Sequence, residues 1–559
     1  MKYTLLMTLL APALLAGCNL EKKEEPFQAR HIRAGYDAGQ VCQQLRQGWQ
    51  EDGIAIPASQ VSCHYLTVPL DYDKEWVQIK ETKWEKRSAA RADSSLFADN
   101  SPRFSSWSDK PVRPHVKQET RTVKGDTLDI FYLHYRASGD YRGTLFYNPG
   151  GPTSATPDLG LLLDLLRSAN PAILEHYDIV TLDPRGAGYS ALGHELRSCL
   201  LTDKQGVRPD MSPAQLAQLF ASRDKGALPA LQSGADQGKA FSRALLERCD
   251  EPLRLHAPHL GSRAVVEDME RLRQHLGRER ITPITFSYGT RLAALYAARY
   301  PSHVANLVVD SPMSPAENRY PAIFRGDAEN ANRILAWRFG AQALQRSMAV
   351  TRQVRDNGRY VDNQGNVLDR DRWEAVMSDA ISGSQRDDQL AFWLQDDAGP
   401  LLARLADQAD DNPYQELQEM PFFSAIHCTD NSEPYGWQTL DPEDAAFQGA
   451  GALLLAKSFN TCADWPYPRQ PIASYGAGEI KLPDDARALV LGAEYDPNTP
   501  FAGARQMQAA FGSAARLVQV EQSNQHGQLN SSRCAQAALS TLLLGDGASL
   551  PAEQRCLAD

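Results

Sequence analysis

The sequence lacks several features that would assign it to other classes of protein. It has no excess of positive charge, since 58 Lys and Arg residues are outnumbered by 69 Asp and Glu and the net charge is −11. We therefore expect no nucleic-acid partner, because phosphate binding needs a basic surface. The cysteines form neither a Cys-x-x-Cys pair nor a Cys/His metal spacing, so we expect no metal site and no cofactor. Internal repeats are absent too, which leaves a large globular chain.

The apolar run near the N-terminus, Leu5 to Leu15, is too short to span a bilayer as a helix. It ends in Leu15-Ala16-Gly17-Cys18, which resembles the lipobox of bacterial lipoproteins, in which the cysteine is lipidated and becomes the mature N-terminus. Residues 1–17 are therefore predicted to be a lipoprotein signal peptide and Cys18 the lipidation site; a plain secretory signal with an incidental cysteine is the alternative. Because Asn19 rather than Asp follows, we expect an anchor in the outer membrane of a bacterial envelope, facing the periplasm.

The cysteine count agrees with export to an oxidising compartment. If Cys18 carries the lipid, eight of the nine cysteines remain, an even number typical of a disulfide-bonded exported chain. Eight cysteines allow about 105 pairings, so proximity along the chain is the guide to the partners. Proximity predicts the pairs Cys42–Cys63, Cys199–Cys249, Cys428–Cys462 and Cys534–Cys556.

Short apolar segments alternate with helical patterns over much of the chain. Strands are predicted at 128–135, 144–148, 179–183, 281–286, 304–310, 488–492 and 517–521. An amphipathic helix is predicted over 264–277, with Gly277 as its C′ residue. Strands that alternate with helices indicate an α/β fold with a mostly parallel sheet covered by helices.

Two segments interrupt this alternation. Residues 78–125 are polar with little periodicity, and we interpret them as an inserted surface excursion or simply a solvated loop. Residues 313–480 carry long helical patterns and no strand run, which predicts a helical cap inserted after a late strand. The first part of the core would then span 18–312 and its C-terminal part 481–559.

Thr285-Phe286-Ser287-Tyr288-Gly289 places one serine between a predicted strand and an Ala/Leu-rich helix. A strand, a serine in a tight turn and a helix form the context of a nucleophile elbow, where the neighbours two before and two after the serine must be small. Gly289 meets that need, whereas Thr285 stands where glycine is usual. The alternative is an ordinary turn with a capping serine.

A serine nucleophile needs a base and an acid that orients the base. Asp496 and His526 follow predicted strands, in the chain order serine, acid, histidine that α/β-hydrolases use. Glu494 and Asp310 are competing acids, the first because it lies two residues from Asp496 and the second because it ends the strand after the serine. The glycine-rich turn at 148–152 could bring backbone N–H groups to the same place, although such turns are common.

These segments together resemble a known family. Its motifs are matched by Val68-Pro-Leu-Asp-Tyr72, Asn148-Pro-Gly-Gly-Pro152, Asp183-Pro-Arg-Gly-Ala-Gly-Tyr-Ser190, Ser287-Tyr-Gly-Thr290, Ile426-His-Cys-Thr-Asp430, Asp496-Pro-Asn-Thr-Pro500 and His526-Gly527. The set resembles the exported tripeptidyl aminopeptidases, α/β-hydrolase relatives of proline iminopeptidase that remove short units from free peptide N-termini. The resemblance covers most of the chain from Cys63 to Cys534.

The resemblance implies an α/β-hydrolase fold with Ser287 as nucleophile and Asp496 and His526 as its partners. It also implies an oxyanion hole formed by the N–H groups of Gly151 and Tyr288. Thr285, and Thr153 where the glycine-rich loop normally continues with glycine, depart from the family pattern and bear on the substrate range or on activity itself.

An exopeptidase must also recognise the free ammonium of its substrate, which calls for carboxylates in the pocket. In the cap, Asp430 and Glu433 are the first candidates and Glu416 and Glu419 the next, although solvated surface charge would explain any one of them. The sequence thus predicts a lipid-anchored envelope serine exopeptidase that acts on peptides with a free N-terminus. An esterase on the same machinery, or a catalytically silent binding lipoprotein, are the alternatives.

Overall fold

The computed structural model describes residues 29–54, 56–85, 115–199, 245–361, 365, 367–383, 413–434, 441, 443–452 and 462–559. The predicted signal peptide and Cys18 lie outside these ranges. The chain divides into two compact units, one of residues 1–30 and 73–125 and the other of residues 31–72 and 126–559. The larger unit contains every residue predicted to take part in catalysis.

The strands and helices of the described ranges are as follows. The strands are β1 His31–Ile32, β2 Val61–Pro69, β3 Trp76–Glu85, β4 His115–Lys124, β5 Thr127–Tyr135, β6 Gly143–Asn148, β7 Tyr177–Leu182, β8 Thr282–Phe286, β9 Leu307–Asp310, β10 Arg359–Val361, β11 Val367–Asp369, β12 Ala488–Ala493, β13 Ala515–Glu521 and β14 Glu553–Leu557. The α-helices are α1 Ala38–Glu51, α2 Leu159–Ala169, α3 Ala172–His176, α4 Gly193–Cys199, α5 Asp250–His256, α6 Ser262–His275, α7 Tyr288–Arg299, α8 Tyr320–Phe339, α9 Ala341–Asn357, α10 Arg370–Ser382, α11 Pro413–Asp430, α12 Phe501–Phe511 and α13 Arg533–Leu544.

A ten-stranded sheet organises the larger unit, in the order β1-β5-β7-β6-β8-β9-β12-β13-β14 with β2 paired to β5. From β7 to β14 every neighbouring pair is parallel, whereas β2 with β5 and β5 with β7 are antiparallel. This arrangement confirms the mostly parallel, helix-covered sheet predicted from the alternation of strands and helices. Because parallel strands end at a common edge, the residues that follow β6, β8, β9, β12 and β13 come together there.

Strand β12 illustrates how the sheet separates two hydrophobic layers. Ala488 and Val490 belong to one buried cluster, and Leu489 and Leu491 belong to the other. Successive side chains of a strand point to opposite faces, so both faces of β12 are covered. A continuous apolar run is typical of such a strand, which explains why its sequence shows no polar alternation.

The polar segment 78–125, a surface excursion or a solvated loop by its sequence, contains most of two strands of the smaller unit. Strands β3 and β4 pair antiparallel over ten residues each, from Trp76 opposite Lys124 to Glu85 opposite His115. The Lys124 Nζ lies 5.8 Å from the centre of the Trp76 ring, although that ring is 56% exposed. These strands escaped prediction because polar and charged residues predominate on both faces and no continuous apolar face results.

The segment between β9 and β12 is largely helical and contains α8 to α11. The expectation of no strand in it was wrong, because β10 and β11 form a short antiparallel pair with Tyr360 opposite Leu368. Leu368, Trp373 and Ile334 join a separate buried cluster within this cap. No helix in the described part of the chain is both long enough and apolar enough to cross a membrane.

Candidate active site

Ser287 occupies the sharp turn between β8 and α7. Its backbone has φ 51° and ψ −124°, a conformation that costs a non-glycine residue about 1–3 kcal/mol and persists only where the surroundings impose it. Here its N–H donates to the Asp310 carbonyl at 3.0 Å, and its own carbonyl accepts from Thr290 N–H at 3.0 Å. The turn thus has the strain and the support that a nucleophile elbow requires.

The two neighbours that should be small behave differently. A Cβ on Gly289 would lie 2.5 Å from Asn148 Oδ1 and 2.9 Å from Asn148 O, so only glycine fits there. Thr285 is buried but has room, and its hydroxyl donates to the Val308 carbonyl at 3.1 Å. The threonine therefore bonds to the neighbouring strand β9, and its departure from the usual glycine does not crowd the turn.

The glycine-rich loop after β6 packs directly on this turn. A Cβ on Gly150 would lie 2.8 Å from both Phe286 O and Ser287 Cβ and 3.4 Å from Tyr288 N. The Gly150 N–H donates to Asn148 Oδ1 at 2.9 Å, which leaves Gly151 as the next donor along the loop. The Tyr288 N–H begins α7, where the first N–H groups have no acceptor within the helix. Both predicted oxyanion donors are thus carried by segments in contact.

Asp183 accepts hydrogen bonds from the residues that continue this loop. Its buried Oδ1 accepts from Ser154 Oγ at 2.7 Å, Ala155 N at 3.0 Å and Thr156 N at 3.1 Å. A Cβ on Gly188 would lie 2.1 Å from Asp183 Oδ2, so the second glycine of the Asp183–Ser190 motif makes space for the carboxylate. This motif therefore fixes the loop that follows Gly151.

Asp496 and His526, which the sequence predicts to be the acid and the base, are hydrogen-bonded to each other. His526 Nδ1 lies 2.9 Å from Asp496 Oδ1 and 3.0 Å from Oδ2. The carboxylate is fully buried and also accepts from Asn498 N at 2.9 Å and from Thr499 N at 2.9 Å. Buried carboxylates require such donors, so this loop supplies the hydrogen bonds that the buried Asp496 side chain needs beside the imidazole.

The surroundings of His526 raise the pKa of its imidazole. Burial lowers its pKa, but the hydrogen bond and charge of Asp496, together with the charge of Asp310, raise it above the ordinary 6.5. Because Nδ1 donates to Asp496, the neutral ring carries its lone pair on Nε2. That nitrogen is the one that can accept a proton from a nucleophile.

Asp310, one of the two competing acids, instead connects the nucleophile to the histidine loop. Its buried carboxylate accepts from Gln528 N and from Leu529 N, each at 2.8 Å. Its main-chain carbonyl accepts from Ser287 N, and the next residue, Ser311, accepts from Gly527 N at 2.8 Å. Burial, against the two N–H donors, raises the pKa of Asp310 to about 6.

Glu494, the other competing acid, accepts a hydrogen bond from the backbone of the turn that follows β13. Its Oε2 accepts from Gln522 N at 3.1 Å. Neither Glu494 nor Asp310 hydrogen-bonds to His526 among the described residues, whereas Asp496 does. The geometry therefore agrees with Asp496 as the orienting acid.

Helices of the cap contact both the loop that carries Asp496 and the loop that carries His526. On α8, Asn330 Nδ2 donates to the Asp496 carbonyl at 2.6 Å, and Trp337 stacks on Tyr495 with ring centres 4.2 Å apart. At the end of α10, the Ser382 carbonyl accepts from Asn524 Nδ2 at 3.2 Å. The cap is thus attached to the acid loop and to the histidine loop separately.

The predicted ammonium-binding residues need correction. Both oxygens of Asp430 accept from Ser262, from its N–H at 2.8 Å and from its hydroxyl, in a buried position. They are not available to a substrate. Glu433 is exposed, where water screens a charged contact. The side chains of Glu416 and Glu419 lie outside the part of the chain that is described.

Asp327 on α8 has the properties that those residues lack. It precedes Asn330 by three positions, and residues three apart share a helix face, so it lies on the side that meets the Asp496 loop. Its side chain keeps partial exposure, yet burial and then the charge of Asp496 raise its pKa to about 8. No donor or cation offsets these two effects in the described residues. This position was not predictable, because the helical periodicity of the cap sequence does not show which face of α8 meets the site.

Eight cysteines of the described ranges form four disulfides. The structure bridges Cys42–Cys63, Cys199–Cys249, Cys428–Cys462 and Cys534–Cys556, the pairs that proximity predicted. Within the described ranges, no group of three or more His, Cys, Asp and Glu side chains is arranged to hold a metal ion.

Known proteins are similar in sequence to this chain. The α/β-hydrolase fold family matches residues 143–531, more than half of the 559 residues. A tripeptidyl aminopeptidase of Streptomyces coelicolor is 25% identical over 422 residues, covering 69% of this chain and 71% of that protein. Carboxylesterase B of Mycobacterium tuberculosis is 27% identical over 475 residues, covering 77% and 83%. The serine protease Hip1 of the same species is 24% identical over 412 residues, covering 67% and 74%.

Proposed function

The chain is a serine hydrolase that belongs to the α/β-hydrolase fold family, as its motifs predicted, and we propose that it is an exopeptidase that removes short units from free peptide N-termini. The observation that carries the proposal is the pairing of His526 with the buried Asp496 at the sheet edge that also bears the strained Ser287. The similarity to a tripeptidyl aminopeptidase supports a peptide as the substrate.

The reaction that we propose gives each of the three residues one chemical role. As Ser287 Oγ attacks the scissile carbonyl carbon, its proton passes to His526 Nε2, and the N–H groups of Gly151 and Tyr288 stabilise the oxyanion. The carbon–nitrogen bond then breaks, and His526 returns the proton to the leaving amine. Water, deprotonated by the same nitrogen, hydrolyses the acyl-enzyme and regenerates Ser287.

Asp327 supports the restriction to free N-termini. With a pKa of about 8, Asp327 is mostly protonated at neutral pH in the free protein, and a cation bound beside it would favour its ionised form. The ammonium of a substrate supplies that positive charge. An N-acetyl group supplies none, so the acetylated peptide would leave Asp327 without a partner.

The test compares one tripeptide anilide with its N-acetyl form. A desolvated charge contact is worth roughly 2–4 kcal/mol, so the free amine should be cleaved about 30- to 1000-fold faster in kcat/KM. Asp327→Asn should shrink this ratio, whereas Glu329→Gln, an exposed acid on the same helix that pairs with Arg325, should preserve it. Equal rates for the two substrates in the wild type would refute the exopeptidase, and an undiminished ratio in Asp327→Asn would place the ammonium site elsewhere.

An esterase is the second candidate, and the similarity to carboxylesterase B favours it. A catalytic triad and an oxyanion hole do not by themselves determine whether the substrate is an ester or an amide. A short p-nitrophenyl ester cleaved far faster than any peptidyl anilide would move the assignment to this class. Ser287→Ala should abolish both activities and labelling by a fluorophosphonate, since either reaction needs the nucleophile.

We further propose that lipidated Cys18 anchors the protein in the outer membrane, where it faces the periplasm. The lipobox-like sequence before Cys18 and the even number of remaining cysteines support this location. A substrate would then reach the site from the periplasmic side, as a short peptide with a free N-terminus.

A further inference from the structure

Tyr288, the residue after the nucleophile, is connected to the cap by a chain of three buried side chains. Its hydroxyl lies 2.6 Å from Ser262 Oγ at the start of α6. Ser262 in turn donates to Asp430, from its N–H at 2.8 Å and from its hydroxyl. The exposed fractions are 2% for Tyr288, 0% for Ser262 and 2% for Asp430, so water does not compete for these bonds.

The chemistry of the three groups fixes the direction of the chain. An ionised carboxylate only accepts hydrogen bonds, so the single hydroxyl proton of Ser262 points to Asp430. The lone pairs of Ser262 Oγ then accept from the Tyr288 hydroxyl. Burial, against the Ser262 hydrogen bonds and the charge of Arg291, raises the pKa of Asp430 to about 6, so the carboxylate is ionised at neutral pH.

Asp430 is itself held from both sides. It ends α11, two residues after Cys428, which is bonded to Cys462. Its carbonyl accepts from Ile472 N at 3.1 Å. A Cβ on Gly261 would lie 2.8 Å from Asp430 Oδ1, so the backbone before Ser262 approaches the carboxylate as closely as glycine allows.

We propose that Asp430 is a positioning residue for catalysis at Ser287, acting through Ser262 on Tyr288. The strained backbone of Ser287 persists only if its neighbours are fixed, and Tyr288 is the neighbour whose N–H is the proposed oxyanion donor. Anchoring the tyrosine ring fixes the peptide between Ser287 and Tyr288, and with it the direction of that N–H. The inference rests on the proposed function only in taking Ser287 as the nucleophile.

The test removes the links one at a time in the full chain and measures hydrolysis of a p-nitrophenyl ester. Tyr288→Phe should lower kcat about tenfold with little change in KM, less than the 10²–10³-fold loss on deleting an oxyanion donor. The affinity for a trifluoromethyl ketone, which forms an oxyanion with the nucleophile, should fall by the same factor. The matched control is Tyr296→Phe, since Tyr296 is a fully buried tyrosine on the same helix whose hydroxyl donates to Glu270 at 3.0 Å.

Asp430→Asn should reproduce the kinetic pattern, and combining it with Tyr288→Phe should add little, because both variants interrupt one chain. If Asp430→Asn does not fold, Ser262→Ala interrupts the same chain at its middle. Equal kcat and equal ketone affinity in Tyr288→Phe and Tyr296→Phe would overturn the inference. Fluorophosphonate labelling of Ser287 in the wild type distinguishes failure of the proposed function from failure of this inference. No labelling would refute the proposed function. Labelling of the wild type together with unchanged kinetics in Tyr288→Phe would refute only this inference.

Discussion

Asp310 joins the nucleophile to the base, and Asp310→Asn should weaken that connection without removing a catalytic group. Its carboxylate accepts from the N–H groups of Gln528 and Leu529, just after His526, at 2.8 Å each. An asparagine offers one oxygen and one NH₂ group in the same space. One N–H therefore keeps its acceptor, while the other meets a second donor and the histidine loop shifts.

The size of the effect follows from the lost bond. A hydrogen bond to a charged group contributes about 1.5–3 kcal/mol. At about 1.4 kcal/mol per tenfold in rate, kcat/KM should fall by roughly ten- to 150-fold. The pH profile should move as well, because the charge of Asp310 helps to raise the pKa of His526. Its removal lowers that pKa, and since the neutral ring is the base, the acid limb of kcat/KM shifts to lower pH.

Stability should respond differently from activity. The folded pKa of Asp310 is about 6 and its ordinary value 3.8, so the folded chain holds this proton more tightly. Its contribution to stability therefore falls as pH rises through that window, by about 3 kcal/mol. Asparagine removes this penalty while losing one hydrogen bond, so the two changes offset each other near neutral pH. We expect a melting temperature close to that of the wild type.

The assay is a set of kcat/KM profiles from pH 5 to 9 with thermal unfolding of the same samples. Asp178→Asn is the control, since Asp178 is a buried carboxylate bound to Arg278 and to Ala137 N, away from the triad. It should lower the melting temperature and leave the acid limb in place. An Asp310→Asn variant with unchanged kcat/KM and an unchanged acid limb would falsify the connecting role.

Two further predictions concern the scaffold and the anchor. Arg185→Ala should destabilise the protein by about 3–5 kcal/mol in urea unfolding, because it leaves the buried carboxylate of Asp268 without its cation; a loss below 1 kcal/mol would contradict that account. Cys18→Ser should block acylation and release the protein from the membrane fraction, and mature lipid-free protein that still sediments with membranes would point to a different anchor.

The parts of the fold that local sequence specifies were predictable. Apolar runs bounded by turn residues marked the core strands, and Gly289 with the strand before Ser287 marked the elbow. The position of Asp496 and His526 after late strands followed from the common edge of a parallel sheet. The first two inferences used only residues within a few positions of one another, whereas the third also used the order of the three residues along the chain.

Roles that depend on distant contacts were not predictable in the same way. Asp430 and Glu433 lie three residues apart in one acidic stretch, yet the first is buried against Ser262 and the second is exposed. Nothing near them in the sequence indicates which one is buried, since Ser262 lies 168 positions before Asp430. Strands β3 and β4 escaped for a different reason, because without an apolar face their periodicity carries no signal.

The carboxylates around the site differ most clearly in the donors that surround them. Asp496 accepts from His526 and from backbone N–H groups, and Asp310 and Asp430 have their oxygens occupied by donors from neighbouring loops. A carboxylate supplied with donors by the protein is already satisfied, so its role is to orient those donors. Asp327 differs because the described residues provide no donor to offset its burial and the nearby charge of Asp496. Leaving such a group unsatisfied opposes folding, and a substrate ammonium is the cation that our proposal supplies to it.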